Sequence, residues 1–172
     1  MATDTPVAVL VARFPQEEDA RVALTELTDA KKQGDIAMQD AAVLRRDPDR
    51  SLHISDSADK GFGKGALIGG VAGAAVGVLA GPVGWATLGG AAVGGLAHKL
   101  RDRGFPDEKL KQMGESVTPG SAALVVVVDD SSSADVELRL GRYGAQVAKE
   151  VVSSDIATAL DSDAFNAQQA QH

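Results

Sequence analysis

The histidines and carboxylates are the side chains of this chain that could catalyse a reaction or bind a metal ion. The three histidines, His53, His98 and His172, lie in three different segments, and the sequence lacks the clustering of histidines and carboxylates that a metal site requires. No cysteine is present to supply a thiolate, and no nucleophile has an identifiable base beside it. We therefore expect no metal site, no cofactor and no enzymatic activity.

Two segments carry part of a ligand-binding motif. Asp47, Asp49 and Ser51 have the spacing with which a calcium loop begins, but Leu52 occupies the position that needs glycine. We interpret this segment as a turn. Residues 61–65 resemble a phosphate-binding loop but lack the Walker spacing and the third glycine of a dinucleotide motif. We interpret them as the entry to a helix-packing segment.

Two further polar groups flank predicted strands. Asp129, Asp130 and the serines at 131–133 follow an apolar strand, where ligands bind in α/β proteins, but capping of the next helix explains them. Arg45 and Arg46 end another strand. We interpret the two arginines as a solvated sheet edge, and contact with lipid phosphates is the alternative.

The middle of the chain has a different composition. Residues 65–97, named here the Gly/Ala segment, include no charged side chain. Glycines recur at four-residue spacing from just before this segment into it, in a set that we call the glycine series: Gly61, Gly65, Gly69, Gly73, Gly77 and Gly81. Two more glycines, Gly90 and Gly94, have the same spacing beyond a reversal that we place at Gly81, Pro82 and Gly84. The pattern predicts an antiparallel helical hairpin.

Glycine at four-residue spacing allows two helical backbones to approach closely, and in lipid such packing drives helix association. In water, each glycine costs about 0.8–1.0 kcal/mol relative to alanine inside a helix. We therefore expect the glycine series, with Gly90 and Gly94, to mediate helix packing and oligomerisation.

Insertion of the hairpin into a bilayer would be marginal. Each arm has about 15–17 residues, roughly 22–26 Å of helix, against a hydrocarbon core of about 30 Å. The apolar side chains supply only about −3 to −6 kcal/mol for insertion. Basic residues flank the segment and predict that both termini are cytoplasmic: Lys60, Lys64, Lys99, Arg101 and Arg103.

The parts of the chain on either side of the hairpin follow one plan. Residues 6–14 and 36–44 are strand-like and enclose a helical pattern that Gly34 ends. Residues 122–128 and 146–152 enclose a second helix that Gly144 stops, and residues 52–55 add a short extension. We predict an α+β, ferredoxin-like fold, with a four-stranded antiparallel sheet and its helices on one face. Two chance β-α-β patterns in an unrelated α+β fold are the alternative.

The expected domain organisation follows from this plan. Residues 1–59 and 105–152 form the two halves of the ferredoxin-like domain, residues 60–104 the hairpin, and residues 153–172 a weakly helical or disordered tail.

The net charge of −7 argues against nucleic acid as a partner. The polar N-terminal segment is unlike a secretory signal, so we expect the flanking parts to face the cytoplasm.

The layout also resembles a known family, the bacterial DUF1269 proteins, described as predicted membrane proteins of unknown function. The segments that carry the resemblance are GDIAMQDAAVLRRD at 34–47, the Gly/Ala segment, and DEKLKQMGESVTPGSAALVVVVDD at 107–130, and it spans about residues 6–152. The resemblance implies a ferredoxin-like part joined to a glycine-zipper hairpin, and it transfers no active site.

Three hypotheses of function follow. The first is a non-enzymatic, membrane-associated oligomer with a stress-related or envelope role, whose hairpin packs in or against the bilayer. The second is a soluble self-assembling structural protein in which the hairpins of different copies bury each other. The third, by fold analogy, is a module that binds a small regulatory ligand.

Overall fold

The computed structural model describes residues 6–49, 52–57, 71, 75, 79, 108–159 and 162. Eight regular elements follow one another: β1 (Val7–Phe14), α1 (Glu17–Gln33), β2 (Met38–Arg46), β3 (Leu52–Ser57), α2 (Glu108–Ser116), β4 (Ala122–Asp129), α3 (Asp130–Gly141) and β5 (Gln146–Val152). After β5, residues 154–159 are also helical. The predicted α+β class is confirmed.

The strands form one five-stranded sheet in the order β3-β2-β4-β1-β5. Every pair of neighbours is antiparallel, and at the centre of the sheet Leu10 lies opposite Val126. The four predicted strands are all present, and β3 adds a fifth at the edge. The short extension expected there is a full strand because the chain reverses after β2 and pairs back along it, with a register shift between Val43 and Leu44.

One face of the sheet is covered by α1 and α3. Phe14 and Leu10 from β1 pack there with Leu27 of α1 and Leu140 of α3. Gly34 ends α1 as predicted, since its φ of 81° is left-handed and its N–H donates to the carbonyls of Ala30 and Lys31. The helix α3 ends at Gly141, and the expected Gly144 closes the turn that follows it, with a left-handed φ of 69°.

The opposite face is covered as well, so the prediction of helices on one face only was wrong. Residues of β1, β2 and β4 form a second buried cluster there with Val117, Ala157 and three residues of the Gly/Ala segment. The physical reason is visible in β4, AALVVVVD, where seven of the eight residues are buried. A strand with one solvent-exposed face alternates between apolar and polar residues, whereas a strand buried on both faces is apolar throughout.

Candidate functional site on the second face of the sheet

Three residues of the Gly/Ala segment lie against the second face of the sheet. Val71, Ala75 and Leu79 are helical, and their exposed fractions are 2%, 0% and 3%. Because residues four apart on a helix share one side, these three form a single stripe, which we call the sheet-facing stripe. It packs in one cluster with Val125 and Leu44. An apolar part of the segment is therefore buried against the sheet of its own chain.

A glycine of α2 meets the backbone of this stripe. Gly114 is buried, and a Cβ atom added to it would lie 2.9 Å from the Cα and 3.0 Å from the carbonyl carbon of Leu79, and nearer still to the carbonyl oxygen. Any side chain at position 114 would therefore overlap the backbone of Leu79. Two helical backbones are in direct contact at this point.

Sequence reasoning missed Gly114 as a packing residue. It assigned close backbone contact to the glycine series, whereas Gly114 lies outside that series, in α2. The available signal was the glycine itself, because a glycine inside a helix costs about 1 kcal/mol relative to alanine and often has a packing reason.

Two arginines from the sheet hold the C-terminal end of α2. Arg13 Nη1 donates to the carbonyl oxygen of Ser116 at 2.9 Å, and Arg46 Nη2 donates to that of Gly114 at 3.0 Å. Carbonyls in the last turn of a helix lack intrahelical partners, and positive charge is favourable there. Arg46 therefore lies on the second face and positions α2. Arg45 lies on the same inner strand, paired with β3 and β4, and its partly exposed side chain is 3.1 Å from Asp47 and 3.8 Å from Glu17.

A second polar cluster joins α1 to the end of α3 on the other side of the protein. The hydroxyl of Tyr143 donates to Glu26, and Arg139 lies 3.1 Å from Asp135, 3.6 Å from Glu26 and 3.8 Å from Asp35. Beside this cluster is an open depression of about 450 Å³ lined by Val22, Thr25, Glu26, Asp29, Ala30, Gln33, Arg139 and Tyr143. These interactions cross-link two helices.

The hydrogen bond to Glu26 raises the pKa of Tyr143 above its ordinary value of 10.0, and burial and the charge of Glu26 act in the same direction. The stability gained from a raised pKa is complete below the unfolded value and is lost as the pH rises through the folded one. We therefore expect Tyr143→Phe to lower the free energy of unfolding by about 1 kcal/mol at neutral pH.

This difference between Tyr143→Phe and wild type should shrink as the pH rises from about 10, where the tyrosine of the unfolded chain ionises, through the raised pKa of Tyr143 in the folded protein. Urea unfolding of both proteins at neutral and at alkaline pH measures it. A difference that persists unchanged at high pH would contradict the role given to the hydroxyl.

The polar residues at the end of β4 and the start of α3 do not cap α3 in the expected way. Asp129 makes no side-chain capping bond and instead accepts a hydrogen bond from Gln39 at 3.0 Å. The hydroxyl of Ser132 accepts the N–H of Ala37 at 2.9 Å, and the hydroxyl of Ser133 donates to the carbonyl of Asp130 at 2.7 Å. Asp129 and Ser132 therefore join the start of α3 to the start of β2. This contact could not be predicted from the sequence, because the two segments are distant in the chain.

Of the three histidines considered as possible metal ligands, the structure describes only one. His53 lies in β3, while His98 and His172 fall outside the described residues. Within the described part of the chain, no three histidines or carboxylates come together as a possible metal site.

The predicted packing, turn and membrane-flanking residues all lie outside the described residues: Gly61, Gly65, Gly69, Gly73, Gly77, Gly81, Pro82, Gly84, Gly90, Gly94, Lys60, Lys64, Lys99, Arg101 and Arg103. Among the helices that the structure does describe, none combines the length and the apolar character that a membrane crossing requires.

Comparison with known proteins gives one result. The model of a family described as a protein of unknown function, DUF1269, matches residues 66–165. No curated protein and no solved structure matches the chain. The matched range contains the sheet-facing stripe, Gly114 and the second β-α-β unit, whereas the segment at 34–47 lies before it. Since the match covers more than half of the sequence, the chain belongs to the DUF1269 family.

Proposed function

We propose that this protein is a non-enzymatic, self-associating protein whose Gly/Ala segment packs on its own sheet through one face and on a second copy through the other. The observation that carries this proposal is the burial of Val71, Ala75 and Leu79 against the sheet. This burial supports packing of the segment against protein. It also identifies the side of the helix that contacts the sheet.

The spacing of the sheet-facing stripe relates it to the glycine series. Gly69, Gly73 and Gly77 each precede one residue of the stripe by two positions. On a continuous α-helix, two residues correspond to a rotation of about 200°. The spacing therefore predicts that a helix through this segment has these glycines and the sheet-facing stripe on opposite sides.

The two sides of such a helix differ in the packing that they allow. Valine and leucine on the stripe supply the apolar area that stabilises packing on a sheet. Glycines supply almost no area, but they allow another helical backbone to come close. The glycine side therefore suits the same side of a second copy, and a two-fold pair is the simplest assembly that uses identical surfaces.

Replacing Gly69, Gly73 and Gly77 together by leucine should reduce the oligomer to monomers, because the leucines would hold two backbones apart. Sedimentation equilibrium of the full chain measures the mass, and far-UV circular dichroism checks the fold. The matched control replaces the same three glycines by alanine, which is still small and should leave the oligomer associated. An unchanged mass for the leucine variant would refute the proposal.

Association with a lipid bilayer is a second candidate, favoured by the uncharged Gly/Ala segment between basic residues. Burial of Val71 and Leu79 on the sheet contributes about 1.5–3 kcal/mol for each side chain. Insertion of the whole segment supplies about 3–6 kcal/mol. Burial on the sheet and insertion into a bilayer therefore stabilise this segment by similar free energies. Carbonate extraction of cell membranes tests the candidate, which fails if the protein is released.

We also propose the ferredoxin-like arrangement for the two β-α-β units. It is supported by the order of their four strands, β2-β4-β1-β5, in which each unit contributes one central and one outer strand. A solved structure of the full chain tests this assignment.

A further inference from the structure

We propose that the open depression between α1 and α3 binds a small organic cation, an alkylammonium ion with a short hydrocarbon chain. This ligand site is separate from the self-association and the bilayer binding proposed above and depends on neither. The depression has a volume of about 450 Å³, within the range of about 300–1,000 Å³ that is usual for small-molecule sites. It lies on the helix-covered face of the sheet, opposite the sheet-facing stripe.

One side of α1 forms the first wall of the depression. It is lined by Val22, Glu26 and Asp29, whose spacings of four and three residues place them on one side of a helix. The second wall consists of Arg139, in the last turn of α3, and Tyr143, just after that helix. The two walls meet at Glu26, which accepts the hydrogen bond of the tyrosine and lies 3.6 Å from the arginine. The depression therefore brings charged, aromatic and apolar side chains to one place.

The charges of the depression favour a cation over an anion. Of the described residues that line it, only Arg139 is cationic. Its guanidinium is already shared by three carboxylates, at N···O distances of 3.1 to 3.8 Å: Asp135, Glu26 and Asp35. An anion would have to compete with them. Asp29 is exposed and has no hydrogen bond or ion pair with the described residues, so its carboxylate is open to a cationic ligand.

The other side chains of the depression fit the hydrocarbon part of such a ligand. Val22 is 46% exposed, and Ala30 lines the same space. Tyr143 contributes an aromatic side chain, and aromatic rings attract ammonium groups that lie within about 6 Å of the ring centre. An inorganic cation would gain only from Asp29, whereas an alkylammonium ion would also remove the apolar surface of Val22 from water. The lining therefore favours an organic cation.

Nuclear magnetic resonance of the full chain tests this site, because Tyr143 is the single tyrosine and its ring signals report on the depression. Three probes have four carbons each and differ in charge: n-butylammonium, 1-butanol and butyrate. At neutral pH and constant ionic strength, n-butylammonium should shift the ring signals saturably. Its dissociation constant should be lower than that of 1-butanol by about tenfold, and butyrate should leave the signals unchanged.

Two variants that remove one negative charge each test the role of Asp29. Asp29→Asn keeps the shape of the side chain and should weaken the binding of n-butylammonium about tenfold. The matched control is Glu137→Gln, because Glu137 is exposed on α3 and does not line the depression. Glu137→Gln should bind n-butylammonium like wild type. Circular dichroism checks that both variants keep the fold.

Four results would each overturn the proposed site. They are the lack of a saturable shift in wild type, equal affinities for n-butylammonium and 1-butanol, binding by Asp29→Asn that equals wild type, and an equal loss in Glu137→Gln. The last of these would mean that the ligand responds to the net charge of −7 rather than to one carboxylate. Neither variant changes the Gly/Ala segment, so failure of the cation site leaves the proposed self-association standing.

Discussion

Alanine at Leu44 is expected to lower the free energy of unfolding by about 2–5 kcal/mol, the range found for large-to-small changes in a packed core. Leu44 has no exposed surface, and it belongs to the cluster that contains the sheet-facing stripe. Its loss would leave a cavity between the sheet and the layer above it. If the second face of the sheet were open to solvent, the same substitution would change stability by less than about 0.5 kcal/mol.

Leu124→Ala is the matched comparison for Leu44→Ala. Leu124 is equally buried but belongs to the cluster under α1 and α3, on the opposite face. Losses of similar size in urea unfolding of the two variants would establish that both faces are packed. A large loss for Leu124→Ala with almost none for Leu44→Ala would contradict the burial of the second face.

Alanine at Phe14 should cost about 3–5 kcal/mol, the largest single effect that we expect for this protein. Among the residues whose burial the structure describes, Phe14 is the largest fully buried side chain, and the sequence contains only four phenylalanines. It lies opposite Ala122 in the sheet and in one cluster with Ala20 and Ala23 of α1. Alanines cannot extend into the space that the ring leaves, so the cavity cannot close.

Thermal and urea unfolding of Phe14→Ala measure this cost. Phe14→Leu serves as the control, because it keeps most of the apolar volume and should lose much less stability. Equal losses for the two variants would indicate that the fit of the ring, rather than the volume it fills, stabilises this corner of the core.

The elements with local signals could be predicted from the sequence. Gly34 was placed correctly as the C-cap of α1 because the left-handed conformation that it adopts is one that other residues avoid. The turn before β4 has an equally local cause. Gly120, at φ 87°, follows Pro119, and the N–H of Ser121 donates to the carbonyl of Thr118 at 3.0 Å. A proline followed by a glycine is typical of this type of turn.

The candidate site could not be predicted in the same way, because its residues are distant in sequence. Arg13 and Ser116 are separated by 103 positions, and Arg46 and Gly114 by 68. Arg46 was assigned, together with Arg45, to a solvated edge because the two arginines end a predicted strand. Its hydrogen bond to α2 depends on strand pairing and on the position of a helix that follows the whole Gly/Ala segment.

By itself, the sequence determined that this protein has two β-α-β units around an apolar insert, because strand and helix periodicity, glycine caps and proline turns act over a few residues. It also contained the evidence that both sheet faces are buried, in the unbroken apolar runs of β1 and β4. Only the tertiary structure decided what covers the second face. Apolar burial has no direction and accepts any apolar surface, so the choice depends on the fit between distant backbones, which Gly114 and Leu79 provide.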